Sequence, residues 1–198
     1  MRTLAAALAA TIMTIPQIPT GSNLPVYGYQ IVHVYPHDAK AFTQGLQYLD
    51  GVFYEGTGQV GQSSIRKVEV ETGKVLQQRD VPPPHFGEGI TVWKNDLLEL
   101  TWQTHVAFVY DRTTFEPKKK FSYPGEGWGL THDGTNLIMS DGTSELRVLD
   151  PVTFVEKRRI KVTAAGTPLS PRLLGEDLVV RKRGTGPDEG VIFEHVRL

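Results

Sequence analysis

Apolar and polar residues alternate in short runs along most of the chain, and turn-forming residues separate the runs. The first run is Tyr29-Gln30-Ile31-Val32-His33-Val34-Tyr35, closed by Pro36-His37-Asp38. Successive side chains of a strand point to opposite faces, so alternation of this kind predicts a half-buried strand. Residues 44–49 and 52–55 flank Asp50-Gly51, a dipeptide that favours the tight turns of β-hairpins. Residues 64–70 alternate again, Glu71-Thr72-Gly73 turns the chain, and residues 74–79 return. These four runs predict an antiparallel meander.

The meander recurs. In the second unit, residues 90–93 and 97–102 flank a turn at Lys94-Asn95-Asp96, and 106–110 and 116–121 follow. In the third, 129–131 and 137–140 flank Asp133-Gly134-Thr135, and 146–149 and 155–162 flank Asp150-Pro151. Aligning Gly45, Gly89 and Gly129 gives intervals of 44 (89 − 45) and 40 (129 − 89) residues. Periods of about 40–45 residues built from short strands mark the blades of a propeller. Beyond residues 1–23 no stretch carries helical periodicity, so the fold class is all-β, a β-propeller with about three recognisable blades in residues 24–169. Residues 170–198 read as a divergent C-terminal tail, with candidate strands only at 173–180 and 191–193. A propeller ring normally takes about four to eight blades. Three leave the ring incomplete, and apolar blade faces left open are expected to favour self-association.

Composition narrows the function classes. The net charge of −1 provides no electrostatic footprint for nucleic acid. The chain has no cysteine, which excludes disulfides, thiolate metal sites and cysteine nucleophiles. Arg2 followed by the apolar run from Leu4 to Met13 has the form of an export signal and is too short to span a bilayer. Residues 1–23 are therefore expected to be a leader, the protein secreted or periplasmic, and membrane contact limited to export.

Candidate chemistry lies on the repeat. Residues near the start of a blade's first strand and the end of its second gather near the axis. That rule collects Phe42, Gln44, Tyr54, Glu55, Glu88, Trp102, Gln103, Trp128 and Asp141 around one mouth, with apolar walls and few polar groups, as suits a small ligand or a peptide end. Trp102 and Trp128 are also readable as core, and Glu88 and Glu126 as turn residues. Glu55, beside Tyr54 and before Gly56 and Gly58, is a carboxylate among aromatics, which needs a partner or a role. The histidines (His33, His37, His85, His105, His132, His195) are scattered, so no metal is expected. Gly125-Glu126-Gly127-Trp128-Gly129 opens no helix and lacks the Lys-Ser/Thr of a phosphate loop, and there is no Gly-x-Ser-x-Gly elbow.

Together, Ala41-Phe42-Thr43-Gln44-Gly45-Leu46, Tyr54-Glu55-Gly56-Thr57-Gly58, Phe86-Gly87-Glu88-Gly89-Ile90-Thr91, Leu100-Thr101-Trp102, Gly125-Glu126-Gly127-Trp128-Gly129-Leu130-Thr131 and Ser140-Asp141-Gly142-Thr143 resemble the plant-type and bacterial glutaminyl cyclases (glutaminyl-peptide cyclotransferases). That family is built as five-bladed propellers without a catalytic metal. The resemblance runs from about Tyr27 to Leu169 and implies conversion of the N-terminal glutamine of peptides or proteins to pyroglutamate, with release of ammonia and no cofactor. It implies that Glu55 binds the amine and shuttles its proton. Phe42, Gln44, Tyr54, Trp102 and Trp128 would line the pocket, with Glu88, Gln103 and Asp141 among the substrate-binding residues. The family's later Asn-Glu-Leu-Glu, Asn-Val-Trp and Gly-Lys segments do not occur after Leu169. On that reading the chain is a truncated or frame-shifted member with little expected activity. The alternative is a non-catalytic propeller fragment that binds peptides or partner proteins.

Overall fold

A computed structural model of the chain describes residues 33–164, 166–168 and 192–193. Among them there is no helix. Three antiparallel sheets follow one another along the chain, each a meander. The first holds β1 (Thr43–Leu49), β2 (Val52–Thr57), β3 (Ser64–Glu69) and β4 (Val75–Asp80). The second holds β5 (Gly87–Trp93), β6 (Asp96–Thr101), β7 (Val106–Asp111) and β8 (Pro117–Ser122). The third holds β9 (Leu130–His132), β10 (Leu137–Ser140), β11 (Glu145–Leu149) and β12 (Glu156–Lys161). A short hairpin, β13 (Thr163–Ala164) and β14 (Thr167–Pro168), comes after them. These are the expected blades of an all-β propeller.

The repeated glycines have a packing cause. A Cβ on Gly45 would lie 2.6 Å from Ile90 N and 3.1 Å from Gly89 Cα, and one on Gly89 would lie 2.6 Å from Leu130 N and 2.7 Å from Gly129 Cα. The first strands of successive blades thus approach backbone to backbone, which only glycine permits. Gly89 N–H donates to Trp128 O (2.8 Å), and Val92 N–H donates to the buried Gln47 Oε1 (2.6 Å), so polar bonds also cross between blades.

Apolar side chains fill the spaces between blades. Tyr54, Ile65, Ile90, Val92, Leu97, Tyr110 and Phe115 pack between the first and second. Leu100, Ala107, Val109, Leu130, Leu137, Met139 and Phe154 are among those between the second and third. Phe115 and Phe154 each close a five-residue turn, donating N–H to Asp111 O and Asp150 O at 2.8 Å. Both sit at positive φ, 60° and 62°. A left-handed residue other than glycine costs roughly 1–2 kcal/mol. Burying a phenylalanine side chain returns about 1.5–3 kcal/mol, and both rings are buried, so the strained turn is retained. The aspartates hold it, Asp111 Oδ1 accepting from Thr113 N and Thr114 N, and Asp150 Oδ1 from Val152 N and Thr153 N. These bonds place the Asp111 carboxyl below the usual range, and Asp150 shifts the same way, with Lys157 as its first cause.

One expectation needs amending, one is met in the tail, and two fall outside the described residues. Residues 29–32 of the first expected strand lie outside the described residues, and His33, Val34 and Tyr35 are not in a strand. Instead the segment before β1 lies on the first blade: Pro36 O meets Gly73, and Asp38 Oδ2 pairs with Arg66 Nη1 at 2.9 Å. In the tail, β15 (Ile192–Phe193) adds to the free edge of β1, opposite Leu46 and Gln47. The candidate strand at 173–180 and the expected leader at 1–23 fall outside the described residues.

Candidate active site

The chain entering each blade's first strand is tied to the chain leaving its second. Gly58 N–H donates to Phe42 O (2.7 Å), and Trp102 N–H donates to Phe86 O (3.0 Å). The two bonds are equivalent, since 102 − 58 and 86 − 42 both equal 44. With the 40-residue step to the third blade, three sets of equivalent positions follow: Phe42, Phe86 and Glu126; Gln44, Glu88 and Trp128; Gly58, Trp102 and Gly142. They meet at one end of the first strands.

The side chains there form a continuous line across the blades. Phe42 meets Phe86 edge-on at 6.1 Å between ring centroids, and Phe86 meets Trp102 edge-on at 5.8 Å. The edge-on arrangement sets the positive rim of one ring against the negative face of the next. Glycine leaves room for two of the rings. A Cβ on Gly58 would collide with the Phe86 ring, and one on Gly142 would lie 3.0 Å from the Trp128 ring. Gln44 Nε2–H donates to Glu88 Oε1 at 3.3 Å, and both residues are partly exposed.

Glu126 joins the far side. Its Oε2 accepts from Trp102 Nε1–H (2.8 Å) and Trp128 Nε1–H (2.9 Å), and its Oε1 accepts from Gln103 Nε2–H (3.0 Å). The Gln103 bond, then those of the two indoles, hold the Glu126 carboxyl below its ordinary range by favouring the charged form.

Six of the sequence-predicted site residues therefore come together: Phe42, Gln44, Glu88, Trp102, Gln103 and Trp128. Three do not. Tyr54 is buried in the core between the first and second blades, its ring tilted against Phe115 and its phenol pKa raised by desolvation. Glu55 points to the other face of β2 and is 1 % exposed. Its Oε1 accepts from His37 Nε2 (2.8 Å) and Thr43 Oγ1 (2.5 Å), and neither bond reaches a residue of the mouth. The reason is register. The mouth residue of the second blade is Trp102, whose equivalent in the first is Gly58; Tyr54 and Glu55 correspond to Leu98 and Glu99, inside the sheet. Asp141 works one step back. Its Oδ1 accepts from Thr143 N (3.2 Å) and Thr143 Oγ1 (2.6 Å), and its Oδ2 lies 3.6 Å from Arg159 Nη1, so it shapes the turn at Gly142 on which Trp128 rests.

Phe86 and Gly58 join the site beyond the residues expected from sequence, and Glu126, readable there as a turn residue, belongs to it as well. The spacing already held the signal, because all three fall on the 44- and 40-residue intervals. Among the described residues no group of three or more His, Asp or Glu side chains gathers to hold a metal ion.

A family profile described as glutamine cyclotransferase matches residues 3–172. A glutaminyl-peptide cyclotransferase of Arabidopsis thaliana is 42 % identical over 127 residues, 63 % of this chain and 40 % of that protein. The crystal structure of Myxococcus xanthus glutaminyl cyclase aligns with a TM-score of 0.66 and 30 % identity, over 71 % of this chain and 60 % of that one. The chain thus spans less than two thirds of the length of either relative.

Proposed function

Because the chain belongs to the glutamine cyclotransferase family, we propose that it closes the N-terminal glutamine of peptides or proteins to pyroglutamate, and that Glu88 carries the proton. The observation behind the assignment is a partly exposed carboxylate, hydrogen-bonded to Gln44, on the line of aromatic residues that crosses the blades. The family resemblance points to Glu55 for this role. Glu55 is buried, and its Oε1 already accepts from His37 and Thr43.

The chemistry is intramolecular. The α-amine nitrogen bonds to the side-chain amide carbon, the amide C–N bond breaks, and the amine proton leaves with the amide nitrogen as ammonia. Nucleophile and electrophile belong to one residue, so much of the proximity effect is built into the substrate. The protein has to move that proton and hold the chain folded back on itself. Glu88 takes the proton from the amine and returns it to the departing nitrogen, as a general base and then a general acid. Gln44 fixes the Glu88 carboxylate. The faces of Phe86, Trp102 and Trp128 cover the methylene stem and displace water from it. Proton transfer and positioning require no metal or other cofactor in this reading. The export reading of residues 1–23 belongs to the same proposal, and N-terminal sequencing of the protein from its native host would check it.

The test is mass spectrometry of a synthetic peptide with N-terminal glutamine after incubation with the purified chain. The reading expects the peptide to lose one ammonia, and expects no loss with Glu88→Gln. Unconverted peptide from folded wild-type protein would overturn it.

A further inference from the structure

Trp102 has little to hold it in place by packing. It is 37 % exposed, and the ring contact that fixes its plane is the edge-on one with Phe86. Trp128 comes from the next blade and leans on Gly142. One carboxylate oxygen, Glu126 Oε2, accepts the indole N–H of both, at 2.8 and 2.9 Å. The other oxygen is held by Gln103 at 3.0 Å. Glu126 precedes the first strand of the third blade, and its two indole donors lie on opposite sides of that blade boundary. Its backbone neighbour Gly127 donates N–H to Trp102 O (3.0 Å), so backbone and side chain tie the same corner.

We propose that Glu126 is the positioning residue of the mouth: one carboxylate sets the orientation of both indoles, and so the width of the slot that receives the substrate's N-terminal side chain. The inference rests on the peptide reading above. An ionised carboxylate suits the task because it is acceptor-only and has two oxygens for three donors. Hydrogen bonds to an ionised acceptor are also stronger than neutral ones. Glutamine at this position keeps one carbonyl oxygen for the indoles but turns an NH2 toward the NH2 of Gln103. Alanine releases all three donors. The two substitutions therefore separate the indole bonds from the Gln103 bond.

The experiment uses the full chain as wild type, Glu126→Gln and Glu126→Ala, with folding checked by circular dichroism. Acrylamide quenching of tryptophan fluorescence reads indole mobility, and calorimetry with a short peptide carrying N-terminal glutamine reads the slot. Trp93, the third tryptophan, packs on His132 and provides a constant background. Losing charge-assisted bonds is expected to weaken peptide binding by about tenfold or more in Glu126→Ala, with a clear rise in quenching. Glu126→Gln should fall between the two. During turnover the loss should appear in KM more than in kcat, because the walls hold the substrate while Glu88 moves the proton. Unchanged quenching and affinity in Glu126→Ala would overturn the inference and leave the peptide reading standing. Peptide that fails to bind even wild type would overturn the peptide reading, and the slot assignment with it, whatever the quenching shows.

Discussion

Glu55 and Glu99 occupy the same place in successive blades and live differently there. They are 44 residues apart, and each lies across its inner hairpin from the matching residue, Leu46 for Glu55 and Ile90 for Glu99. Both are buried, at 1 % and 0 % exposure. Twelve residues before each stands the position that decides the outcome. In the first blade it is Thr43, whose hydroxyl donates to Glu55, and His37 adds a second donor. In the second it is Gly87, which has no side chain to offer and packs so closely that a Cβ would lie 2.7 Å from Glu99 Oε1. Among the described residues Glu99 Oε1 has no hydrogen-bond partner, and Oε2 accepts a long bond from Tyr110 Oη at 3.4 Å. Burial therefore pushes the Glu99 pKa up to about 8. The blade architecture dictates that the site is buried; its neighbours decide whether a carboxyl fits it.

Three substitutions test that contrast. Glu55→Ala has the largest expected effect. It strips the acceptor from Thr43 and His37 and leaves a void, so denaturant unfolding should show a loss of about 3 kcal/mol. Glu99→Gln should act in the opposite direction. Glu99 is neutral in the folded chain up to about pH 8, whereas its unfolded value is 4.5. The unfolded state releases the proton first, so the contribution of Glu99 to stability is greatest below pH 4.5 and declines as the pH rises toward 8. The amide does not ionise, so the stability advantage of Glu99→Gln over the wild type should grow steadily from pH 4.5 to pH 8 and flatten the pH dependence of the melting temperature. A melting curve that still declines with pH in Glu99→Gln would assign the dependence to another group. Thr43→Ala has the smallest expected effect, about 1 kcal/mol for one donor of two, read by the same unfolding experiment. If it costs nothing, Thr43 is not what makes Glu55 acceptable.

The sequence carried the architecture well, because the blades' inner strands impose a constraint visible residue by residue. Gly45 and Gly89 must be glycine where backbones meet, and their spacing to Gly129 marks the repeat without any structure. Turns at Asp50-Gly51 and at Asp133-Gly134 were legible for the same reason: Asp50 and both glycines sit at positive φ. Phe42, Gln44, Glu88, Trp102 and Trp128 were legible as a group because they recur at the starts and ends of inner strands. Tyr54 and Glu55 were misplaced by local appearance. A tyrosine and a glutamate just before Gly-x-Gly look like mouth residues, yet β2 runs on to Thr57 and puts Gly58 there. Two similar strings also occupy different positions. In Gly87-Glu88-Gly89 the glutamate aligns with Trp128, and in Gly125-Glu126-Gly127 it aligns with Phe86. The pairing of Glu126 with two indoles needs the crossing of two blades, which no single run of sequence contains.

The division of labour between Glu88 and Glu55 can be measured in one pair of variants. Conversion of a peptide with N-terminal glutamine, and the melting temperature, would be followed for Glu88→Gln and Glu55→Gln beside the wild type. Glu88→Gln should lose at least about 100-fold in rate, the scale of general acid–base catalysis, and melt with the wild type. Glu55→Gln should keep converting the peptide and melt lower by about 5 °C. The reverse result, with Glu55→Gln inactive at an unchanged melting temperature and Glu88→Gln still active, would contradict the assignment and return the reaction to Glu55.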